Sequence, residues 1–241
     1  MALARTERIR FQDQPAWIKR PEPPRSSLFV PLHRLLSLLL PTALHPTNSA
    51  GGPTALVAEA DRLVLFARAG LPVPRVLERA ENHIILSDCG QHFGLFLFGL
   101  TSEPDRIRHI GLALEVLMQI HAAGLSHGRP HLKDFAFAPG SGISILDLEE
   151  DPIKTMSLAE AQARDFWLFL GSACEFFSDP QAEMASLHAI YCARASLETV
   201  QALAKLGAAL RPYRRLIAGL RAQKWGHDIM GTYWATKAIE R

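Results

Sequence analysis

The sequence predicts an α+β fold in two lobes, with a reduced N-terminal lobe and a larger helical C-terminal lobe. Short β-favouring runs and one helix dominate before residue 90, and amphipathic helical spacing dominates after it. A short stretch ending in Gly90 separates the two patterns and has the character of a hinge. We therefore expect an N-terminal lobe of antiparallel strands plus a helix over residues 1–90 and a helical lobe over residues 91–241.

Composition narrows the class of protein. A chain of 241 residues with 48% hydrophobic content can bury a large core and is expected to be globular. Its formal net charge of +2 is too small to indicate a nucleic-acid-binding protein. The three cysteines lie far apart without a CxxC pair, which indicates neither a disulfide framework nor a zinc site and fits a reducing cytoplasm.

The most apolar stretch near the N-terminus, Leu28 to Leu44, bears on membrane association. Prolines and polar residues interrupt it, so its continuous apolar part is too short to span a bilayer. The pattern predicts a short helix ended by Pro41, and no signal-peptide core precedes it. We expect a cytoplasmic protein, with peripheral contact at the inner face of the membrane left open.

The N-terminal lobe is predicted from two patterns. Residues 7–20 contain two strand-like runs separated by a proline-containing turn, which predicts a β-hairpin ending at Lys19. Residues 54–69 place apolar side chains at helical spacing, with Glu59 on this helix and Gly70 closing it. The lobe therefore offers a strand-end lysine and a helical glutamate.

Two further strands complete this lobe. The runs at residues 73–77 and 83–87 flank a polar turn, which is typical of a second hairpin. The second run ends in Asp88-Cys89-Gly90. This segment is the predicted hinge between the lobes.

Helical patterns dominate the C-terminal lobe. An N-cap at Ser102 begins a long amphipathic helix that Gly124 ends, and a capping box at Ser157 begins another. Between them, residues 135–137 and 143–146 form two short strands joined by a proline-glycine turn. Two or three more helices follow toward the C-terminus.

The segment from His127 to Asp147 carries the chemistry. A loop of sequence HGRPHLKD joins the long helix to the small hairpin, with Asp134 before its first strand and Asp147 after its second. Phosphoryl transfer needs Mg²⁺ held by hard oxygen ligands against the nucleotide phosphates. Two aspartates that converge at the ends of one hairpin would supply such ligands, so the sequence predicts a metal site at Asp134 and Asp147.

These motifs resemble the catalytic core of the bacterial lipopolysaccharide-kinase (Kdo kinase) branch of the protein-kinase-like superfamily. In that branch the catalytic loop often reads H-G-D-L-x-x-x-N, and the motif after the hairpin reads I-D-F-x. His127 matches the loop histidine, Asp134 falls on the metal-binding asparagine, and Asp147 matches the metal-binding aspartate. The resemblance implies ATP and Mg²⁺ as cofactors, bound in a cleft between the two lobes.

The resemblance extends to the N-terminal lobe and to the next helix. Lys19 resembles the strand lysine that contacts the nucleotide phosphates, and Glu59 resembles its ion-pair partner. Asp88 and Cys89 resemble the hinge whose backbone would contact adenine. Asp165 resembles the buried aspartate that steadies the catalytic loop.

The sequence departs from the family pattern in several places. Arg129 stands at the position of the catalytic base, and arginine does not accept a proton at ordinary pH. No glycine-rich loop precedes Lys19, so phosphate cover would be reduced or supplied by residues 48–52. Leu148-Glu149 replaces the Phe-Gly of the DFG-type motif. Near Glu59, Asp61 remains an alternative partner for the lysine.

The leading functional hypothesis is ATP-dependent phosphotransfer to a hydroxyl of a small molecule, a sugar, a lipid-linked glycan or a protein. Most of the acceleration in such reactions comes from positioning and charge stabilisation, so Arg129 would stabilise the transferred group. Asp134, Glu149 or His131 would take the acceptor proton, and the sequence does not select among them.

Two rival hypotheses remain. Arg129 and the absent glycine-rich loop favour a pseudokinase that binds nucleotide or a partner protein without catalysis. The apolar stretch from Leu28 to Leu44 favours a peripheral membrane adaptor. Each predicts a different outcome for nucleotide turnover and membrane binding.

Overall fold

The computed structural model describes residues 4–22, 51–219 and 226–240. Over these residues the chain is α+β, with seven α-helices and two antiparallel sheets. The stretch Leu28 to Leu44 and its predicted helix lie outside the described residues, as do residues 48–50. Within the described ranges, no helix is both long enough and apolar enough to cross a bilayer.

The first sheet lies before the predicted hinge. Its four antiparallel strands are ordered β1-β2-β4-β3, with bounds β1 (Thr6–Phe11), β2 (Gln14–Lys19), β3 (Val76–Arg79) and β4 (Ile84–Ser87). Gln12 and Asp13, with φ of 48° and 62°, form the two-residue turn of the first hairpin. The hairpin ending at Lys19 is confirmed. Strand β3 begins later than predicted, because Pro72 and Pro74 lack the N–H groups a ladder needs.

Helix α1 (Gly52–Arg68) matches the predicted helix and packs on two surfaces. Leu56 and Ala60 form a small cluster with Ile84 of the first sheet. Leu63 and Phe66 instead belong to the large core formed mainly by the later helices. The helix therefore joins the first sheet to the rest of the protein, and the core continues across the predicted boundary near residue 90.

The second sheet holds the hairpin that bears the two aspartates. Its strands are ordered β5-β6-β7, with bounds β5 (Gln91–His92), β6 (Phe135–Ala138) and β7 (Gly142–Ile145). The sequence analysis did not predict β5, which follows the hinge directly. Gly90 has a φ of 101°, and a Cβ there would lie 2.3 Å from the carbonyl oxygen of Phe137. Only glycine fits this turn into the second sheet.

Six further helices build the C-terminal part. They are α2 (Phe93–Gly99), α3 (Glu103–Ala122), α4 (Leu158–Ala173), α5 (Pro180–Cys192), α6 (Leu197–Gly219) and α7 (His227–Ile239). Ser102 caps α3, and Ser157 with Glu160 forms the predicted capping box of α4. Helix α2 was not predicted, because its short apolar run carries no capping signal and too few turns to define a period.

Candidate functional site

A cavity of about 200 Å³ lies between the two sheets and is bordered by α1. Its wall contains five residues that the sequence analysis selected from separate stretches of the chain: Lys19, Glu59, Cys89, Asp134 and Asp147. The cavity also has an apolar part, lined by residues of both sheets and the adjoining loops: Trp17, Leu63, Pro74, Leu86, Ala136 and Leu146. The site therefore combines charged and apolar side chains in one cavity.

Lys19 is the centre of the charged end. It lies at the end of β2, two residues after Trp17, and alternation along a strand turns both side chains to the cavity. Its side chain is 9% exposed, and its Nζ lies 2.7 Å from Glu59 Oε1, 2.9 Å from Asp147 Oδ1 and 2.8 Å from Glu149 Oε1. One ammonium group thus joins three carboxylates, one from α1 and two from the segment that follows β7.

Glu59 reaches Lys19 from the buried face of α1. It lies three residues after Leu56 and four before Leu63, so helical spacing places it among the side chains that pack inward. Burial raises the pKa of Glu59, and the Lys19 ammonium opposes that rise. Asp61 instead pairs with Arg79 at 2.6 Å on the exposed face, so the structure selects Glu59 as the partner of the lysine.

Asp147 follows β7 in an uncommon backbone conformation. Its φ of 55° lies in the left-handed region, which costs about 1 kcal/mol or more for a residue with a Cβ. Burial acts to raise the pKa of Asp147, but the Lys19 ammonium, helped by Arg129 and Arg5, holds it below its usual value. Asp147 is therefore ionised at neutral pH, and the strain turns its carboxylate to Lys19.

Asp134 lies at the other end of the same hairpin. It ends a 3₁₀ turn (Leu132–Asp134), and its carbonyl accepts a hydrogen bond from Leu146 N at 2.8 Å. This bond keeps the two ends of the hairpin adjacent, so both aspartates line the cavity. The Asp134 side chain is buried, and no residue that the structure describes forms a hydrogen bond with its Oδ2. Burial and the nearby charge of Asp147 raise the pKa of Asp134 to about 7.

The sequence predicts Asp134 and Asp147 as metal ligands, but the closely spaced acidic group in the structure contains only Asp147 of this pair. In the part of the chain that the structure describes, the three acids whose oxygens lie within 4.8 Å of one another are Glu59, Asp147 and Glu149. Lys19 contacts all three, so an ammonium already neutralises part of that charge. Asp134 lines the same cavity but does not belong to this group.

Hydrogen bonds from its backbone to α4 fix the loop between α3 and the hairpin. The Asp165 carboxylate accepts hydrogen bonds from His127 N at 2.5 Å and from Gly128 N at 2.9 Å, and it has no exposed surface. The predicted contact of Asp165 with the loop is present. A Cβ at Gly128, which has a φ of 106°, would lie 2.4 Å from the carbonyl oxygen of Glu150. The loop therefore passes very close to the segment after Asp147.

His127 itself is buried, and burial lowers its pKa to about 4. Both ring nitrogens lack a hydrogen-bond partner in the described residues, so its backbone N–H, not its ring, makes the structural bond. A neutral imidazole packed near Phe135 is a core residue and not a proton carrier.

Arg62 is a site residue that the sequence analysis missed. It lies on α1 three residues after Glu59, and its guanidinium donates to the carbonyl oxygens of two segments that flank the cavity: Ser126, His127, Leu148 and Glu150. Burial lowers the pKa of Arg62, although the nearby acids oppose this effect. The helix that carries Glu59 is thereby tied to both the loop and the segment after Asp147. Backbone acceptors carry no sequence signal, so this contact could not be predicted.

Arg129 points toward the charged end from the loop. Its side chain is 48% exposed, with Nη2 at 3.5 Å from Asp147 Oδ2 and Nε at 3.7 Å from Glu150 Oε1. It therefore adds positive charge beside Asp147. No carboxylate stands at this position of the loop to accept a proton.

The predicted hinge segment has some residues at the cavity and one, Asp88, away from it. Asp88 turns to other partners: its carboxylate accepts from Gly90 N and from Arg8 Nη2, both at 2.8 Å. It does not line the cavity, whereas Ser87, Cys89 and Gly90 do. The resemblance assigns adenine contact to the backbone of this segment, and that assignment stays a prediction. The Asp88 side chain stabilises the turn at Gly90. Cys89 lies at the cavity, and burial raises the pKa of its thiol.

Comparison with known proteins gives one distant similarity. No model of a known protein family matches the chain. The chain is 26% identical over 190 residues to a protein of Haemophilus influenzae that is described as uncharacterized, and the match covers 76% of this chain and 71% of that protein. This similarity carries no information on function, so the functional argument depends on the site.

Proposed function

We propose that this protein is an ATP-dependent phosphotransferase of the protein-kinase-like type, acting on a hydroxyl group. The observation that carries the proposal is the meeting of Lys19, Glu59, Asp134 and Asp147 at one cavity. The four residues come from a strand end, a helix and the two ends of a hairpin. The resemblance implies phosphate binding by Lys19, an ion pair of Lys19 with Glu59, and metal binding by Asp134 and Asp147.

The cavity suits an adenine nucleotide in both of its parts. Trp17, Leu86 and Leu146 border an apolar slot that would accept a planar base, and Cys89 lies at its hinge side. The Lys19 ammonium at the opposite end would contact phosphate oxygens. Glu59 would then keep the ammonium in place, since it contacts Lys19 from a buried helix face.

The residues also fit a divalent cation. Within the described ranges, Asp134 Oδ2 is buried without a hydrogen-bond partner, and Asp147 Oδ2 lies 3.5 Å from Arg129 Nη2. Hard carboxylate oxygens are the ligands that Mg²⁺ prefers. Mg²⁺ bound by Asp134 and Asp147 would neutralise the charge of the nucleotide phosphates.

Other residues would orient the reacting groups. Arg129, beside Asp147, would stabilise charge on the transferred phosphoryl group. Glu149 is held by Lys19 and Arg5 in the ligand-free protein. Asp134, Glu149 and His131 stay the candidate acceptors for the hydroxyl proton. Asp165 would keep the loop and its Arg129 in position through the bonds to His127 and Gly128.

The test is phosphate transfer or hydrolysis with labelled ATP and Mg²⁺. We expect Lys19→Met and Asp147→Asn to lower the rate by on the order of 100-fold or more, because each removes charge that stabilises the transition state. Glu59→Gln should also lower the rate. Asp61→Asn is the matched control, because Asp61 lies on the same helix but pairs with Arg79 on the exposed face.

A pseudokinase is the second candidate, and two observations favour it. Arg129 cannot act as a base, and Lys19 is already contacted by three carboxylates. Under this alternative, Mg²⁺-ATP raises the melting temperature of the wild-type protein but no phosphate is transferred or released. Turnover that depends on Asp147 excludes it.

A further inference from the structure

The absence of a glycine-rich loop before Lys19 raises the question of which other groups would bind the phosphates. Arg5 directly precedes β1, whose first residue pairs with Lys19 in the hairpin register. Arg20 N donates to the Arg5 carbonyl at 2.7 Å, which fixes the Arg5 backbone beside the end of β2. The Arg5 side chain lines the same cavity as Lys19 and Asp147.

The charge of Arg5 acts on this end of the cavity. Burial acts to raise the pKa of Glu59 and of Asp147, and the Lys19 ammonium opposes this effect most strongly. The positive charge of Arg5 also acts to lower the pKa of both carboxyls. Its guanidinium contacts Glu22 at 2.7 Å through Nη1 and Glu149 through Nη2. Its Nε is buried and has no hydrogen-bond partner in the part of the chain that the structure describes. A guanidinium with an unused donor at a cavity wall is suited to an incoming anion.

Glu149 already shows where such an anion would lie. Its Oε1 is contacted both by Arg5 Nη2 and by Lys19 Nζ, the latter at 2.8 Å. A single carboxylate oxygen thus lies between two cations, one directly before β1 and the other at the end of β2. Two converging cations of this kind also form the usual binding site of a phosphate oxygen.

The surroundings of Glu149 add to the positive character of this place. Glu149 and Arg5 line a second, smaller cavity with Gly51 and Gly52, at the N-terminus of α1. The first turn of α1 carries no acidic residue, and Gly52 N donates to the Glu22 carbonyl at 3.0 Å. The partial positive charge of the helix end adds to the charge of Arg5 at this smaller cavity.

From these contacts we infer that Arg5 is a second phosphate-binding residue of the cavity, and that Glu149 occupies the phosphate position in the ligand-free protein. This inference rests on the proposed nucleotide-binding function and extends it. A phosphate group carries more charge than one carboxylate and would displace Glu149 from both cations. The Arg5 guanidinium would then bind phosphate oxygens that a glycine-rich loop binds in protein kinases.

The experiment measures the affinity of wild type and variants for MgADP, for adenosine and for tripolyphosphate by calorimetry. Arg5→Ala should weaken MgADP and tripolyphosphate roughly 10-fold or more, because a charge-assisted hydrogen bond is lost, and should leave adenosine unchanged. Arg5→Lys keeps the charge without the fork and should fall between. Arg10→Ala is the matched control, since Arg10 lies on the same strand with a 78% exposed side chain.

Glu149→Gln tests the second half of the inference. Removing the competing anion should tighten tripolyphosphate binding several-fold, whereas Glu7→Gln, a surface change on β1, should have no effect. If Glu149→Gln instead weakens Mg²⁺-dependent binding, Glu149 is a metal ligand and its proposed role is overturned.

The outcomes separate this inference from the proposed function. Equal MgADP affinity in wild type and both Arg5 variants overturns the inference and leaves nucleotide binding intact. Arg5-dependent binding of tripolyphosphate, with no gain in affinity from the adenosine part, supports the anion site and contradicts the nucleotide function. Failure of the wild type to bind either phosphate compound overturns both.

Discussion

The acidic residues of the cavity differ in whether a cation contacts them, so we distinguish a lysine end around Lys19 from a loop end at Asp134. At the lysine end, the Lys19 ammonium contacts Glu59, Asp147 and Glu149 at 2.7 to 2.9 Å. At the loop end, Asp134 is buried, and its Oδ2 has no hydrogen-bond partner among the described residues. Each carboxylate of the lysine end is thus contacted by a cation, whereas Asp134 Oδ2 is not. The difference indicates where an added cation would gain most.

The pKa values of the two hairpin aspartates express the same contrast. Burial acts in the same direction on both, yet the pKa of Asp134 rises to about 7 while that of Asp147 falls below its usual value. The cause is the Lys19 ammonium, which contacts Asp147 at 2.9 Å. The position of one cation therefore decides which aspartate is ionised at neutral pH and which is half protonated.

Removing the cation of the lysine end should give the largest effect. Lys19→Met leaves Glu59 buried beside two further carboxylates, so we expect the free energy of unfolding near pH 7 to fall by about 3 to 5 kcal/mol. Urea denaturation measures this loss. Lys133→Met is the control, because Lys133 lines the same cavity but is exposed. Equal stability of the two variants would show that the ion cluster contributes nothing to the fold.

Arg62 joins α1 to the loop before the hairpin and to the segment after Asp147, and its substitution tests these bonds. Arg62→Lys cannot maintain bonds to carbonyls on two segments, because an ammonium lacks the planar fork. We expect a loss of about 2 to 3 kcal/mol in unfolding free energy, with buried carbonyls left unpaired. Arg68→Lys, at the exposed end of the same helix, should change stability by less than about 0.5 kcal/mol. A loss of similar size in both variants would assign the effect to helix propensity.

Asp134→Asn should stabilise the protein in a pH-dependent way. The folded protein favours the protonated carboxyl, so its stability falls as pH rises from the unfolded pKa near 3.8 through the folded value of about 7. Asparagine stays neutral and removes this dependence. The gain at about pH 8 is bounded near 4 kcal/mol, at about 1.4 kcal/mol for each factor of ten in proton affinity, and about 1 to 3 kcal/mol is expected.

The measurement for Asp134→Asn is thermal or urea unfolding over a pH series. The difference from wild type should be small near pH 4 and should grow toward pH 8. A gain that is constant over this range would mean that Asp134 is not protonated in the fold. Such a result would mean that Asp134 and Asp147 do not differ in their protonation near neutral pH.

Local rules predicted much of this architecture and five residues of the cavity wall. Strand alternation and the turn at Asp13 predict the hairpin that ends at Lys19, and capping signals predict the long helices. Helical spacing turns Glu59 inward, but it does not exclude Asp61. That choice depends on the Ile84 strand beneath the helix, which is a tertiary contact.

The residues that the sequence analysis missed share one physical feature. Arg62 binds main-chain oxygens, and Arg5 binds a carboxylate distant in sequence, so neither leaves a local pattern. Asp88 shows the converse, because a residue at the predicted place uses its side chain for the hinge itself. The uncommon φ of Asp147 is likewise imposed by its surroundings, since an aspartate after a strand does not itself require it.

The smallest predicted effect is the one that locates the metal. At about pH 8, about 10 mM Mg²⁺ should raise the unfolding free energy of the wild type by about 1 kcal/mol, since the cation binds only the folded carboxylates. Asp134→Asn and Asp147→Asn should both abolish the rise, and Glu149→Gln should not. The opposite pattern, loss with Glu149→Gln and retention with Asp134→Asn, would place the cation in the acidic group around Lys19. Mg²⁺ would then have to displace an ammonium held by three carboxylates, so the two ends would compete for one charge.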